Sequence, residues 1–394
     1  MSHRDAPHRL SRRAVLRAAL GGAGLLLGAP LLASAKDKAN RAPQALLEAD
    51  ANGVRLPPGY RSRVVAHAGQ PPASGSSYAW HASPDGGASF ATEDGGWIYV
   101  SNSELWSGYG GVGALRFAAD GNIIAAYPIC SGTTLNCAGG ATPWGTWLSC
   151  EEFPGGRVWE CDPFGRAPAL VRPALGTFTH EAVAVDLPQR RLYLTEDTPY
   201  GRFYRFTADA VGDRLDLSRG LLEVAEVRGP LEGPVRWHAL PDPSAAQQGA
   251  AEQVAASTAF AGGEGIALHG GTAYFTTKYD NRVWAYDTRR ETLRVFYDDD
   301  RFAEPILRGV DNVVVSPAGH VLVAEDGDDM QIVGITPRGA PYPVLQLVGQ
   351  LGSEITGPAF DPSGTRLYFS SQRGPWGLFT QGITYEVSGP FARA

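Results

Sequence analysis

Five stretches of the chain repeat one pattern: a small or acidic residue, an alternating apolar run, a glycine, proline or aspartate turn, then a second apolar run ending in acids or small polar residues. They read HEAVAVDLPQRRLYLTED (His180 to Asp197), GEGIALHGGTAYFTTKYDNRVWAYD (Gly263 to Asp287), VDNVVVSPAGHVLVAED (Val310 to Asp326), ITGPAFDPSGTRLYFSS (Ile355 to Ser371) and, more loosely, EDGGWIYVSNSELW (Glu93 to Trp106). A sixth, NCAGGATPWGTWLSCEE (Asn136 to Glu152), keeps the strand and its terminal acids but loses the turn. Alternation with a period of two, bounded by turn residues, predicts half-buried strands. Recurrence at roughly 45 to 50 residues is the spacing of propeller blades and not of helical solenoids. The pattern therefore predicts an all-β fold, a six-bladed β-propeller. The interval from Pro188 to Gly270 is longer and predicts an insertion at about 211–262.

Repetition bears on function as well as on fold. Innermost strands of a propeller converge on a central channel, so an acid at one place in each repeat becomes part of a ring. Glu151 and Glu152 end one strand, His180 and Glu181 begin another, and Glu196 and Asp197 end the next. Glu264, Asp311, Glu325, Asp326 and Glu354 hold corresponding places further on. Packed carboxylates repel one another and resist desolvation, so such a ring calls for cations. Oxygen-only sets suit calcium, and an added thiolate shifts one position toward iron or zinc.

The first residues change the compartment. Ser11-Arg12-Arg13-Ala14-Val15-Leu16, an apolar stretch from Ala18 to Leu32 and Ala33-Ser34-Ala35 make residues 1–35 a twin-arginine signal with its cleavage site. The apolar run is too short for a permanent membrane span. Residues 36–394 then form a single domain, exported to the periplasm or beyond, and expected to be monomeric. The formal net charge is −7, and removing the signal takes away five arginines and one aspartate. Such a surface excludes nucleic-acid and anionic-membrane binding, which use basic patches. Cys130, Cys137, Cys150 and Cys161 admit two readings: two disulfides, or Cys137 as a thiolate ligand with one disulfide and a spare thiol.

At these residues the chain resembles the PhoX family of secreted alkaline phosphatases. The similarity is carried by NCAGGATPWGTWLSCEE, HEAVAVD with LYLTED and GRFYRF, GEGIAL with DNRVWAYD, GVDN, VLVAEDG and EITGPAFDPSGTRLYFSSQRG. The resemblance implies a propeller whose channel holds Fe3+ and Ca2+ and hydrolyses small phosphate monoesters. It implies Cys137 as an iron thiolate ligand and Glu181 as an iron-bridging carboxylate. Glu264 would be an iron or calcium ligand, Asp311 a calcium ligand, and one or both of Glu151 and Glu152 further ligands. Blade position alone adds Glu196, Asp197, Glu325 and Asp326 as metal candidates. His180 is either a partner that orients Glu181 or a packed channel histidine.

One departure concerns the substrate. Where family members carry Arg-Pro-Glu, this chain has Gly262-Gly263-Glu264, so an expected phosphate-binding arginine is missing. Arg202, Lys278, Arg282 and Arg373 are the candidates to replace it. Two other readings compete: a calcium-dependent lactonase or esterase, and a non-catalytic binding propeller stabilised by calcium. Nucleophilic triads and zinc-protease chemistry find no motif, since GxSxG and HExxH are both absent.

Overall fold

The computed structural model describes residues 45–391 apart from 328. The twin-arginine segment lies outside the described residues. Strands dominate, and the helical pieces among the described residues are three-residue 3-10 turns. None of the described helices is long and apolar enough to cross a membrane.

Six strands open the repeats: β1 (Pro84–Ala91), β2 (Asn136–Ala141), β3 (His180–Asp186), β4 (Gly263–His269), β5 (Val310–Val315) and β6 (Ile355–Phe360). Each touches the next, and β6 returns to β1, so they line a closed ring in a propeller-like arrangement. From each, antiparallel strands step outward, as in β1, Trp97–Ser103, Gly110–Phe117 and Ile123–Thr133. Aromatic side chains wedge neighbouring strand series together. Tyr99 stacks on Tyr368 at 4.7 Å and Phe203 on Phe275 at 4.5 Å. Buried aromatic pairs of this kind add to the area they remove from water.

The expectation of six separate blades needs correction, because the strands pair into five sheets. One has nine strands and runs from β3 outward through Arg214–Val227 and Gly233–Ala239, then back through Thr292–Asp298 to β4. The junction is narrow: only Gly233 with Leu293 and Pro234 with Thr292 are in register. Its cause lies in the segment read as an insertion. Gly233–Ala239 adds a fifth strand to the β3 series, and its free edge meets the outer strand of the β4 series.

The two ends of the domain are tied. Arg61–His67 pairs along its length with Ile383–Ser388, so the β6 sheet is completed from the N-terminal side. Val54–Arg55 likewise pairs with Pro341–Leu347 of the β5 sheet.

Candidate metal centre

All six first strands break their pairing near their start, five of them at one place and the sixth one residue later. Register shifts fall between Pro84 and Gly87, Asn136 and Gly139, His180 and Val183, Gly263 and Ile266, Val310 and Val313, and Thr356 and Ala359. A bulge inserts one extra residue and re-aims its side chain. The leading residues at the shared place are Asp85, Cys137, Glu181, Glu264 and Asp311, and Thr356 stands there in the sixth strand, still paired with Ser370. Five of the six can ligate a cation. The sixth strand opens its shift at Gly357, which has φ +60, and a Cβ there would run into the Asp85 carbonyl.

A second tier comes from the residues that follow the second strands. Backbone N–H groups of Glu104, Glu152, Asp197, Lys278 and Asp326 donate to the carbonyls of Ser83, Leu135, Thr179, Gly262 and Gly309. Each acceptor lies two residues ahead of a bulge residue, so the two tiers are fixed by the same local geometry. Together they form three groups: Asp85, Glu104 and Cys137; Cys137, Glu152 and Glu181; Glu181, Glu264 and Asp311. Within each group one ligand atom per residue lies within 4.8 Å of the others, and Cys137 and Glu181 are shared.

Paired acids at the strand ends divide cleanly, because successive residues of a strand face opposite ways. Glu152 reaches the cluster, whereas Glu151 accepts from the Thr134 N–H at 2.9 Å and the Arg157 N–H at 3.3 Å. Glu196 accepts from the Arg202 N–H at 3.0 Å and the Tyr204 hydroxyl at 2.8 Å. Glu325 accepts from the Arg308 N–H at 2.8 Å. These three anchor turns and stand outside the three groups. Asp197 instead meets Lys278 at 3.1 Å, and Glu354 meets Arg373 at 2.9 Å, with Asp326 at 3.9 Å from the same guanidinium.

The bulges are held from the side by polar residues of neighbouring second strands. Asn102 donates to the Cys137 carbonyl at 3.0 Å and the Ala138 carbonyl at 2.7 Å. Thr195 donates to the Glu264 carbonyl at 2.6 Å, and Thr276 to the Asp311 carbonyl at 2.5 Å. Gln372 donates to Asp85 at 2.5 Å and Glu104 at 2.7 Å, bridging the tiers. Asp85 and Glu104 were not anticipated from sequence. Their signal was positional, a buried-strand start and a post-strand acid in the loosest repeat copy.

Electrostatics of the cluster ask for positive charge. Burial first, then the neighbouring Glu152, Asp311 and Asp85 charges, raises the Glu181 pKa well above the usual carboxylate range. Burial does the same for Glu152 and Asp85, followed by the charges of Glu104 and Asp197 at Glu152 and of Glu104 and Asp311 at Asp85. Asp311 is pushed up to about 7, mainly by burial. Burial and the surrounding carboxylates raise the Cys137 thiol as well. Both Glu181 oxygens and Asp197 Oδ1 are buried with no hydrogen-bond partner. Orphaned acceptors of that kind in a low-dielectric pocket carry a large penalty unless a cation meets them. The donor set, carboxylates with one thiolate, fits a hard cation beside a softer one.

One ammonium enters this group. Lys278 Nζ lies 2.6 Å from Glu264 and 3.1 Å from Asp197. Burial works to lower its pKa, but Asp311, Asp197, Glu152 and Glu181 outweigh burial and raise it. Arg202 bonds Ser257 and Arg282 pairs with Asp280 and Asp298, so both are committed to other partners. His180 is a packed channel histidine: it stacks on Phe178 at 3.6 Å and bonds the Gly176 carbonyl through Nε2 at 3.1 Å. Burial drives its pKa down to about 3, so it is neutral.

The two-disulfide reading of the cysteines is not what the structure shows, since all four are free. Cys137 sits in the acid cluster, and Cys150 is buried in an apolar core. Cys130 and Cys161 are buried in one apolar cluster, and the Cys161 thiol donates to the Trp159 carbonyl at 3.8 Å.

The site's class follows from fold and chemistry together: a propeller-like ring with a cluster of carboxyl groups and one cysteine at its axis. The family of alkaline phosphatase PhoX matches residues 101–158 and 155–374, and the chain belongs to that family. Among solved structures, PhoX of Pseudomonas fluorescens in complex with vanadate, a transition state analogue, is similar with a TM-score of 0.68 and 18% identity. That match covers 88% of this chain and 97% of the other. A gluconolactonase of Xanthomonas campestris shares the fold at a TM-score of 0.52 and 13% identity, covering 89% and 99%. No curated protein sequence matches the chain.

Proposed function

We propose that this chain is a metal-dependent phosphomonoesterase of the PhoX type, built from six modules of which two share the nine-stranded sheet. The observation that carries it is the shared position of Cys137 and Glu181 among three ligand groups, with both Glu181 oxygens unpartnered. Asp85, Glu104, Cys137, Glu152, Glu181, Glu264 and Asp311 are the residues that would hold the ions, iron toward the thiolate and calcium among the carboxylates. Bound there, such ions supply Lewis acidity and positive charge for the phosphoryl oxygens.

The protein's own groups do the rest. The bulges fix ligand direction, and the buried walls exclude water and strengthen each charge interaction. Lys278 takes the place of the missing arginine as the contact to a phosphate oxygen. Gly262 has φ +73, a Cβ there would lie 2.8 Å from the Tyr279 ring, and its carbonyl accepts from the Lys278 N–H. A side chain at 262 is therefore strained, while the adjoining strand end delivers an ammonium. The gluconolactonase likeness is one of fold, and a thiolate in the cluster speaks against a calcium-only lactonase. Export by the twin-arginine route, a periplasmic or secreted location and a monomeric state belong to this reading.

Glu181→Ala tests it. The variant should lose bound metal and hydrolysis of p-nitrophenyl phosphate together. Full activity in that variant overturns the assignment.

A further inference from the structure

Every exposed tryptophan and tyrosine among the described residues lies on the ring end that carries the acid cluster. They are Trp106, Tyr109, Tyr200, Tyr279 and Trp376, each 59% or more exposed. All five sit in loops that join a second strand to a third. These are the loops that open with Glu104, Asp197, Lys278 and Gln372, so each ring follows a site residue within five positions. Turns at the opposite end, which include the 38% exposed Phe164, hold no exposed tryptophan or tyrosine among the described residues.

Single exposed apolar residues need no explanation, but a set confined to one mouth does. The set is continuous with the cluster. The space beside Gly262 is bounded by both the Tyr279 ring and Asp197 Oδ1, and Gln372 at the base of the Trp376 loop bonds Glu104 at the base of the Trp106 loop. The mouth reaches solvent, since the Lys278 and Arg373 side chains are 26% and 27% exposed. An anionic membrane is disfavoured by the acids around the opening and by the net charge of −7.

We propose that this aromatic collar selects phosphate monoesters of aromatic or extended apolar alcohols, holding the alcohol while the phosphate enters the cluster. The inference rests on the phosphomonoesterase reading and names its substrate class. Small polar esters such as glycerol phosphate enter the cluster without touching the collar. An aromatic alcohol gains ring contacts at each aromatic it meets, worth roughly a three- to tenfold change in affinity.

The test uses the full-length, metal-loaded protein and two surface variants, Trp106→Ser and Trp376→Ser, separately and combined. The KM for 1-naphthyl phosphate should lie about tenfold below that for glycerol phosphate, at similar kcat. The double variant should erase most of that difference while leaving glycerol phosphate kinetics unchanged. Equal KM values in the wild type, or equal losses on both esters in the variant, overturn the proposal. Calorimetry with non-hydrolysable naphthylmethylphosphonate and methylphosphonate separates the two readings. Tryptophan-dependent preference for the naphthyl compound without hydrolysis of any ester sustains the collar and sinks the phosphatase reading. Absence of that preference sinks the collar whatever the activity. Tryptophan-dependent binding to neutral phosphatidylcholine vesicles without ester discrimination would reassign the collar to a lipid surface and also overturn the proposal.

Discussion

Glu151 and Glu152 adjoin in the chain and serve opposite ends. Glu152 points into the cluster; Glu151 ties the turn N–H groups of Thr134 and Arg157. Glu152→Gln should therefore deplete bound metal and leave the metal-free melting temperature close to that of the parent. Glu151→Gln should do the reverse, lowering stability by about 1–3 kcal/mol through weakened buried hydrogen bonds, with metal content retained. Denaturant unfolding and elemental analysis on both variants check the split. Lys278 gives a second expectation. Replacing it with Met should raise KM for phosphate esters by about ten- to a hundredfold, the worth of one charge-assisted contact, with metal still bound. An unchanged KM would show that the ammonium only neutralises Glu264 and Asp197. Sequence spacing named both members of each acid pair but could not tell them apart, because facing depends on strand register at the last residue. The period-two rule separates them only once pairing is known.

Among elements, the recurrent device is the bulge at the start of each first strand. The repeat itself was legible, since an apolar strand run survives in all six copies although one reads without its turn and one only loosely. The bulges were not, because they are set by pairing partners and by glycine at close approaches. At Gly265 a Cβ would come 2.6 Å from the Val313 backbone nitrogen of the next first strand. Asp85 and Glu104 were missed for the same reason, and so were Asn102, Thr195 and Thr276, which look like ordinary strand residues until their carbonyl partners are seen. Thr276→Val tests the device: it leaves the Asp311 carbonyl unpaired at near-constant volume. Stability should fall by about 1–3 kcal/mol, and calcium affinity should weaken with it. Unaltered calcium binding by titration calorimetry would show that Asp311 is placed without that bond. The nine-stranded sheet was equally hidden. Its joint depends on one edge strand, Gly233–Ala239, reaching across the predicted insertion to two residues of Thr292–Asp298.

Across the whole molecule, the ring concentrates like charge that the fold alone does not neutralise. Without metal, Asp85, Glu152, Glu181 and Glu354 have folded pKa values well above their usual ones, chiefly through burial, and Asp311 is raised to about 7. Away from the three ligand groups, burial likewise lifts Glu196 to about 7 and Glu325 to about 8. A carboxyl raised on folding favours the folded state while protonated. Its contribution is whole below the unfolded pKa and is lost as pH rises through the folded value. For Glu196 alone the shift amounts to roughly 3 kcal/mol. The melting temperature of metal-free protein should therefore fall steadily from pH 5 to pH 9, and loading with metal should flatten or reverse that trend. A metal-free protein that grows more stable over this range would refute the picture of buried, uncompensated acids. The all-β ring and the family were readable from repeats and motifs. The closure of the ring by pairing of Arg61–His67 with Ile383–Ser388 was not, since it joins segments more than three hundred residues apart.

The most direct measurement is elemental analysis of the folded wild-type protein after incubation with iron and calcium salts and exhaustive buffer exchange. Retention of both elements in at least stoichiometric amounts is the outcome this arrangement of Cys137 and its carboxylates requires. A folded protein that holds neither element would contradict it.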